Sequence, residues 1–404
     1  DEAHKLLIAD RDAFVADEND EHPETHPYQD NFAETLGKDS YGGDYIIDEA
    51  AEFWRTDGDK WVNADPQERM ESFRERGYVK MVDNMRDLCH AVNCDFDRWF
   101  SERSLYVKDT EGETAGTSAV DRAFEKLDKM GYLYTKDGAL WFRSTDLGDD
   151  KDRVLIKSDG EYTYFASDVA YHWDKFQRVD HVIDIWGADH HGHVARLQAA
   201  LDGLGLDGSH RLVVVLMQLV NLMQDGKPVR MSKRSGKAIA LHDLLDEVSV
   251  DAARWYFNAK PDTQMEFDLG LAVREDSENP IYYVEYAHAR ICSLLRALAE
   301  EGTSVPRQAD VDMSLLSGEA ERALLKQIAQ FCEEIKLAAR DYDPSHINRY
   351  LTELAGDFHR FYTACRIKGE ERPVLLARLK LADTARSVLK NAMTLIGCTA
   401  PEKM

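Results

Sequence analysis

The hydrophobic pattern changes its period once along this 404-residue chain, near Pro280, and that change constrains the architecture more than any other feature. Upstream of it, short apolar runs alternate with helical segments. Leu140–Arg143 and Val154–Lys157 are bounded by Asp-Gly or Asp-Asp turns and read as strands. His181–Trp186 reads as a strand closing at Gly187, Val194–Leu204 as the helix after it, and Arg211–Leu216 as a second strand. Such alternation predicts a parallel α/β sheet. Downstream the pattern is helical throughout. Leu324, Ile328, Phe331 and Ile335 keep three/four spacing, as do Ile347, Leu351, Leu354, Phe358 and Phe361, and Leu381–Ile396 closes the series. A helical bundle of roughly 120 residues follows from that spacing. The segment before the strands is also mostly helical, through Ile46, Ile47, Ala50 and Phe53, then Met81, Met85, Leu88 and Val92, then Val120–Met130 ending at Gly131. No repeat of 20–50 residues is visible.

Charge divides along the same lines. The chain carries 50 Lys+Arg against 75 Asp+Glu, a net −25. Residues 1–150 hold 18 basic and 37 acidic residues, residues 151–279 hold 15 and 21, and residues 280–404 hold 17 and 17. So acidic a protein does not wrap DNA non-specifically, because phosphate binding runs on Lys and Arg. A local polyanion site belongs in the middle or the last third.

The hydrophobic fraction of 44% is enough to bury a core, and there is no apolar run of about 18 residues. Six cysteines form no CxxC pair, so a reducing, cytoplasmic setting is expected. Cys89, His90 and Cys94 have metal-ligand chemistry, but no second ligand pair follows them, and the cysteines read as buried helix thiols. No metal site is expected. The chain opens at Asp1 without an initiator Met and is expected to be a fragment.

Three constellations carry chemistry. Lys227, Arg230, Lys233, Arg234 and Lys237 put five cations into eleven residues of an otherwise acidic half, among small residues that let backbone approach a phosphate. Gly187-Ala188-Asp189-His190-His191-Gly192-His193 lies at the carboxyl end of a strand and leads into a helix, where open parallel sheets bind ligands. Tyr164 and Asp168 stand four apart and share a face if the segment is helical. A carboxylate beside an aromatic ring suits a guanidinium or ammonium group. Each pattern also has a plainer reading: a solvated basic loop, a polar turn, and an Asp cap among core aromatics.

Met231-Ser232-Lys233 resembles the KMSKS loop of class I aminoacyl-tRNA synthetases. The ordered set Trp99–Tyr106, Gly138–Arg143, Gly148–Val154, Ser158–Gly160, Gly187–Gly192, Met231–Gly236, Asn279–Arg290 and Ala400–Met404 resembles the bacterial-type arginyl-tRNA synthetases, from about residue 40 to the end. His190–His193 also fits H-x-G-H, the HIGH signature of class I enzymes. It stands only about 37 residues before the KMSKS-like loop, too close for that motif. The resemblance therefore enters after the HIGH-bearing half.

The resemblance implies an α/β partial Rossmann-type catalytic domain, its second half only, with a helical insertion, followed by an all-α anticodon-binding bundle. The expected divisions are 1–135, an acidic helical insertion and connecting region; 136–279, the catalytic half with the KMSKS-like loop; and 280–404, the anticodon-binding domain. Implied roles are arginine binding by Tyr164, Asp168 and His190, ATP binding by Gly187, Asp189 and Lys233, and catalysis by Met231, Ser232 and Lys233, with Lys233 on the leaving pyrophosphate. Candidate tRNA contacts are Arg290, Arg349, Arg360, Tyr350 and Tyr362, with Arg296 and Arg366 beside them. The implied substrates are arginine, ATP with Mg²⁺ and arginine tRNA, with no prosthetic group, no membrane and no DNA. Without a HIGH half the chain is expected to be inactive alone. The alternative is a non-catalytic tRNA-binding or regulatory fragment that keeps the fold.

Overall fold

The computed structural model describes residues 45–224, 226–229, 240–259 and 265–404. In chain order the helices are α1 (Tyr45–Asp57), α2 (Pro66–Ala91), α3 (Ala119–Lys129), α4 (Tyr164–Phe176), α5 (His191–Gly203), α6 (Leu241–Glu247), α7 (Val250–Ala259), α8 (Pro280–Glu300), α9 (Glu319–Asp341), α10 (Ser345–Ala364) and α11 (Arg372–Leu395). The strands are β1 (Leu133–Lys136), β2 (Ala139–Phe142), β3 (Arg153–Ile156), β4 (Val182–Gly187), β5 (Leu212–Met217), β6 (Val220–Gln224), β7 (Lys227–Pro228) and β8 (Met265–Asp268). The chain divides into two compact units, residues 1–95 with 229–250, and residues 96–228 with 251–404.

In the first unit α2 begins sharply because Asp65 accepts from the backbone N–H groups of Gln67 (2.9 Å) and Glu68 (3.1 Å), with Pro66 at the first helical position. Phe73 of α2 meets Phe53 of α1 at 5.4 Å between ring centroids and Trp61 at 5.7 Å. Arg76 lies over the Phe53 ring and pairs with Asp57, so the two helices hold together by ring and ion contacts at half-exposed positions.

The second unit carries the α/β elements and the bundle. A capping box of Ser118 and Asp121 starts α3, which buries Val120, Ala123, Phe124 and Leu127 on one face. Strands β1, β2 and β3 form an antiparallel meander. The β1–β2 turn is Asp137-Gly138, both residues in the left-handed region (φ 51° and 77°), the geometry that matches strand twist in a two-residue hairpin. This corrects the expectation that Leu140–Arg143 and Val154–Lys157 belong to one parallel sheet. The two-residue β1–β2 turn and the ten-residue β2–β3 connection are both too short for the helical crossover that a parallel pair needs.

The parallel pattern starts at β4. β4 and β5 run parallel, joined through α5, in register from Val182 opposite Leu212 to Gly187 opposite Met217. β6 pairs parallel with β8 and antiparallel with β7. Leu127, Phe142, Leu155, Phe165, Leu197 and Leu201 fill one core between the meander, α3, α4 and α5.

The bundle follows the sequence spacing. Ile347, Leu351, Leu354, Phe358 and Phe361 are all buried on α10. Glu321 of α9, fully buried, accepts from Arg378 of α11 (2.6 Å) and from the Gly318 backbone (2.7 Å), so its charge is compensated twice. Asn348 of α10 donates to the Trp255 carbonyl of α7 (3.0 Å), and Arg254 and Asn258 donate to the Ile396 carbonyl (3.0 and 3.2 Å). These contacts seat α7 against the bundle.

Candidate functional site

The site is built from the first two turns of α4 and the carboxyl end of β4. Thr163 precedes α4. Its backbone N–H donates to Leu155 O (3.0 Å) and its hydroxyl to Val154 O (2.9 Å), so the start of the helix is fixed to β3. Tyr164 opens the helix and is 87% exposed, and Asp168 follows one turn later, half-buried. Phe165, Ala166, Val169 and Ala170 face the core, which turns the Tyr164/Asp168 edge outward.

Burial pushes the Asp168 carboxyl above its ordinary value, and the neighbouring His172 and His193 pull against that shift. His193 stands on α5. Burial and the nearby Arg196 press its imidazole below the ordinary value, while Asp168 acts the other way. Tyr106 hydrogen-bonds Ser167, lies within electrostatic range of Asp168, and meets the Tyr162 ring in a tilted pair at 5.3 Å. A half-buried carboxylate near a phenol ring has the chemistry to receive a cation.

Beneath this edge lies a buried charged group. His172 is 3% exposed, with Nδ1 2.7 Å from the Asp168 carbonyl and Nε2 2.5 Å from Asp184 Oδ2. Lys175 Nζ donates to Asp184 Oδ1 at 2.6 Å. Burial would raise the Asp184 carboxyl, but the His172 and Lys175 hydrogen bonds and charges hold it below its ordinary value. On β4 it is Val182 and Asp184 that point inward, while Ile183 and Ile185 are 53% and 70% exposed.

A second charged group reaches Asp168 through Arg196. Arg153 Nε and Nη2 clasp the buried Asp149 at 2.6 and 2.7 Å. Arg196 lies within range of Asp149, Asp150 and Asp168. Burial and the like charge of Arg153 lower its pKa.

The carboxyl end of β4 continues into the Gly187–His193 turn. A Cβ on Gly187 would stand 2.6 Å from Asp189 Oδ1, so the bare backbone there lets the Asp189 carboxylate fold close. Asp189 and His190 are both exposed, His190 Nε2 lies 3.7 Å from Asp189 Oδ2, and its ring stands 5.5 Å from that of His193. The structure therefore gathers Tyr164, Asp168 and His193, and sets Gly187, Asp189 and His190 on the adjoining turn. Met231, Ser232 and Lys233 lie outside the described residues. Among the described residues no group of three or more His, Cys, Asp or Glu is placed to hold a metal, and no helix is long and apolar enough to cross a membrane.

Of the tRNA candidates, Tyr350 is corrected. It is 1% exposed, and its hydroxyl donates to Gln327 O at 3.0 Å, so it is a core residue and not a base-stacking one. Its position, three after Ile347 and four before Leu354, places it on the apolar stripe of α10. Arg290 lies 4.1 Å over the Tyr362 ring and 5.8 Å over that of Tyr286. Arg360 pairs with Asp357, and Arg349 donates to His346 at 2.7 Å. Arg296 and Arg366 donate to the backbone carbonyls of Glu402 (3.0 Å) and Lys368 (2.9 Å). Asp184 and Lys175 were missed in the sequence. The available signal was a lone Asp inside the apolar run Val182–Trp186, which has to find a partner if it faces the core.

The family model "tRNA synthetases class I (R), catalytic domain" matches residues 66–275, and the "DALR anticodon binding domain" model matches residues 284–404. The chain belongs to the class I arginyl-tRNA synthetase family. The arginine–tRNA ligase of Caldanaerobacter subterraneus subsp. tengcongensis is 47% identical over 367 residues, 90% of this chain and 64% of that protein. That of Carboxydothermus hydrogenoformans is 45% identical over 369 residues, 91% and 64%. The chain thus spans just under two thirds of the length of these curated relatives. The arginyl-tRNA synthetase structure from Campylobacter jejuni superposes with a TM-score of 0.80 at 33% identity, covering 91% of this chain and 77% of that one. The Thermus thermophilus arginyl-tRNA synthetase shares the fold, with a TM-score of 0.70 at 19% identity over 89% and 70% of the two chains. The class I catalytic α/β elements and the helical domain after them are therefore those of this synthetase family.

Proposed function

We propose that this chain is the arginine-recognising and anticodon-binding portion of an arginine–tRNA ligase, which activates arginine with ATP and transfers it to arginine tRNA. The observation that carries the reading is the Tyr164/Asp168 pair on the first turns of α4, an exposed phenol one turn before a half-buried carboxylate. Asp168 pairs with the substrate guanidinium and Tyr164 packs on its edge, with His190 at the rim. Gly187 and Asp189 receive the adenosine ribose. Met231, Ser232 and Lys233 form the ATP loop, where Lys233 neutralises the departing pyrophosphate as the substrate carboxylate displaces it at the α-phosphate. ATP enters as its Mg²⁺ complex, a substrate. On this reading residues 1–135 are insertion and connecting region, 136–279 the catalytic half and 280–404 the tRNA-binding domain, working in the cytoplasm. Arg290 and Tyr362, packed against each other on α8 and α10, are the tRNA contacts that the burial pattern leaves in place, and Arg349 and Arg360 are further candidates on α10.

Isothermal titration tests the pocket on this chain itself. L-Arginine binds, and citrulline, the same shape without the charge, binds at least about tenfold more weakly, as expected for a charge-assisted pair. Asp168→Ala abolishes that preference. Arginine binding that survives in Asp168→Ala removes Asp168 from the pocket and the reading with it.

A further inference from the structure

We propose that His172 is a doubly protonated positioning residue of the arginine pocket, an imidazolium that holds the Asp168 peptide from below and places a positive charge beneath the site that receives a guanidinium. The inference rests on the reading that Asp168 receives the guanidinium.

The proton assignment follows from the partners. A backbone carbonyl only accepts, so the 2.7 Å contact between Nδ1 and Asp168 O places a proton on Nδ1. At Nε2 the partner is Asp184 Oδ2 at 2.5 Å. The other oxygen of that carboxylate accepts from the Lys175 ammonium at 2.6 Å, which fixes Asp184 as the anion. An anionic carboxylate facing Nε2 requires a second N–H there. The Lys175 ammonium also approaches Nε2, at 3.3 Å, but its short hydrogen bond goes to Asp184 Oδ1, and the 2.5 Å carboxylate contact decides the proton at Nε2. Both ring nitrogens donate, and the ring carries a positive charge.

That charge compensates Asp184 on one side and acts on the site above it on the other. The groups facing His172 are Asp184 from β4, and Lys175, the Asp168 carbonyl and the Tyr171 ring (5.8 Å) from α4. One anion between two cations leaves a net positive charge buried under Asp168. Burial drives the Asp168 carboxyl toward its neutral form, and among the groups opposing that drive His172 is the largest. A neutral carboxylic acid makes no ion pair with a guanidinium. The imidazolium therefore favours the ionised form of Asp168, and its Nδ1–H fixes the peptide from which that side chain projects. Through Asp184 the same ring ties α4 to β4, whose carboxyl end carries Gly187 and Asp189.

Two measurements on the whole chain test this. In the ¹⁵N-histidine-labelled protein at pH 7.5, the ring signals that disappear in His172→Gln are expected to show two protonated nitrogens with a one-bond N–H coupling at each. A neutral ring with one bare nitrogen overturns the assignment, and this measurement needs no ligand. In arginine titrations, His172→Gln is expected to lose about tenfold or more in affinity and to lose most of its preference for arginine over citrulline, as the deletion of a charged hydrogen-bond partner would produce. An unchanged arginine/citrulline ratio overturns the positioning role even if the fold is weakened, because packing loss alone does not select between the two ligands. The two readings fail separately. Asp168→Ala retaining its preference for arginine refutes the pocket, whereas a normal Asp168→Ala response with an indifferent His172→Gln refutes only the role of His172.

Discussion

Replacing Glu285 by Gln should remove a pH dependence built into the junction between α7 and α8. Glu285 sits half-buried on α8 and hydrogen-bonds the carboxylate of Asp251 on α7. Asp251 already accepts from the Thr399 backbone N–H at 2.9 Å and from the Thr399 hydroxyl, so it holds the negative charge. Burial first, and the Asp251 charge second, push the Glu285 carboxyl from 4.5 up to about 8. A carboxyl raised in the folded state contributes stability that is complete below pH 4.5 and is lost as pH rises through 8, because the unfolded chain ionises first. Between pH 4.5 and neutrality the linkage ceiling is about 3 kcal/mol, and water access at a half-buried side chain reduces this to about 1–2 kcal/mol. Gln keeps a donor toward Asp251 and does not titrate. Urea denaturation of both proteins at pH 5 and pH 8 checks the prediction. The wild type should lose about 1–2 kcal/mol more than Glu285→Gln over that interval, and taking the difference cancels titrations at distant sites. Parallel stability curves would refute the argument, since they would mean that Glu285 ionises in the folded protein as it does in the unfolded one.

Two other outcomes follow from particular contacts. Tyr350→Phe removes the hydroxyl that satisfies Gln327 O in the bundle core and should cost about 1–2 kcal/mol in denaturant titrations, leaving tRNA affinity unchanged. Asp149→Asn leaves Arg153 without its bidentate anion. Burial alone would raise the Asp149 carboxyl, but the Arg153 hydrogen bonds and the Asp150 N–H hold it well below the usual carboxylate range. The wild type should therefore keep this stability at neutral pH and lose it as the solution is made strongly acidic. The variant should be about 3 kcal/mol less stable at pH 7, measured by denaturation, with a flatter acid limb.

The helical domain was legible because its signal is local. Three/four spacing on α10 and α11 states which face is apolar, and an apolar face of that length folds only by meeting another. The same spacing, read through to position 350, puts Tyr350 inside, so the stacking expectation failed on residue type and not on pattern. Tyr164 and Asp168 were legible for a similar reason, since a separation of four on a helix places them on one edge whatever the rest of the chain does. The strands were legible as strands but not as partners. The Asp137-Gly138 turn makes β1 and β2 antiparallel neighbours, while β4 finds β5 across 24 residues of crossover chain.

What the sequence determined by itself is thus everything carried by short-range geometry: the helix faces, the turn at Asp137-Gly138, the Tyr164/Asp168 edge and the family to which the ordered motifs belong. What only the tertiary structure decided is the side chains that answer to distant partners. Asp184 lies in an apolar run whose flanking isoleucines suggest a core of their own. It points inward, and Ile183 and Ile185 outward, because His172 and Lys175 wait on α4 to compensate its charge. A buried carboxylate is tolerated only where donors from another element converge on it, and no spacing rule within one strand can report that convergence.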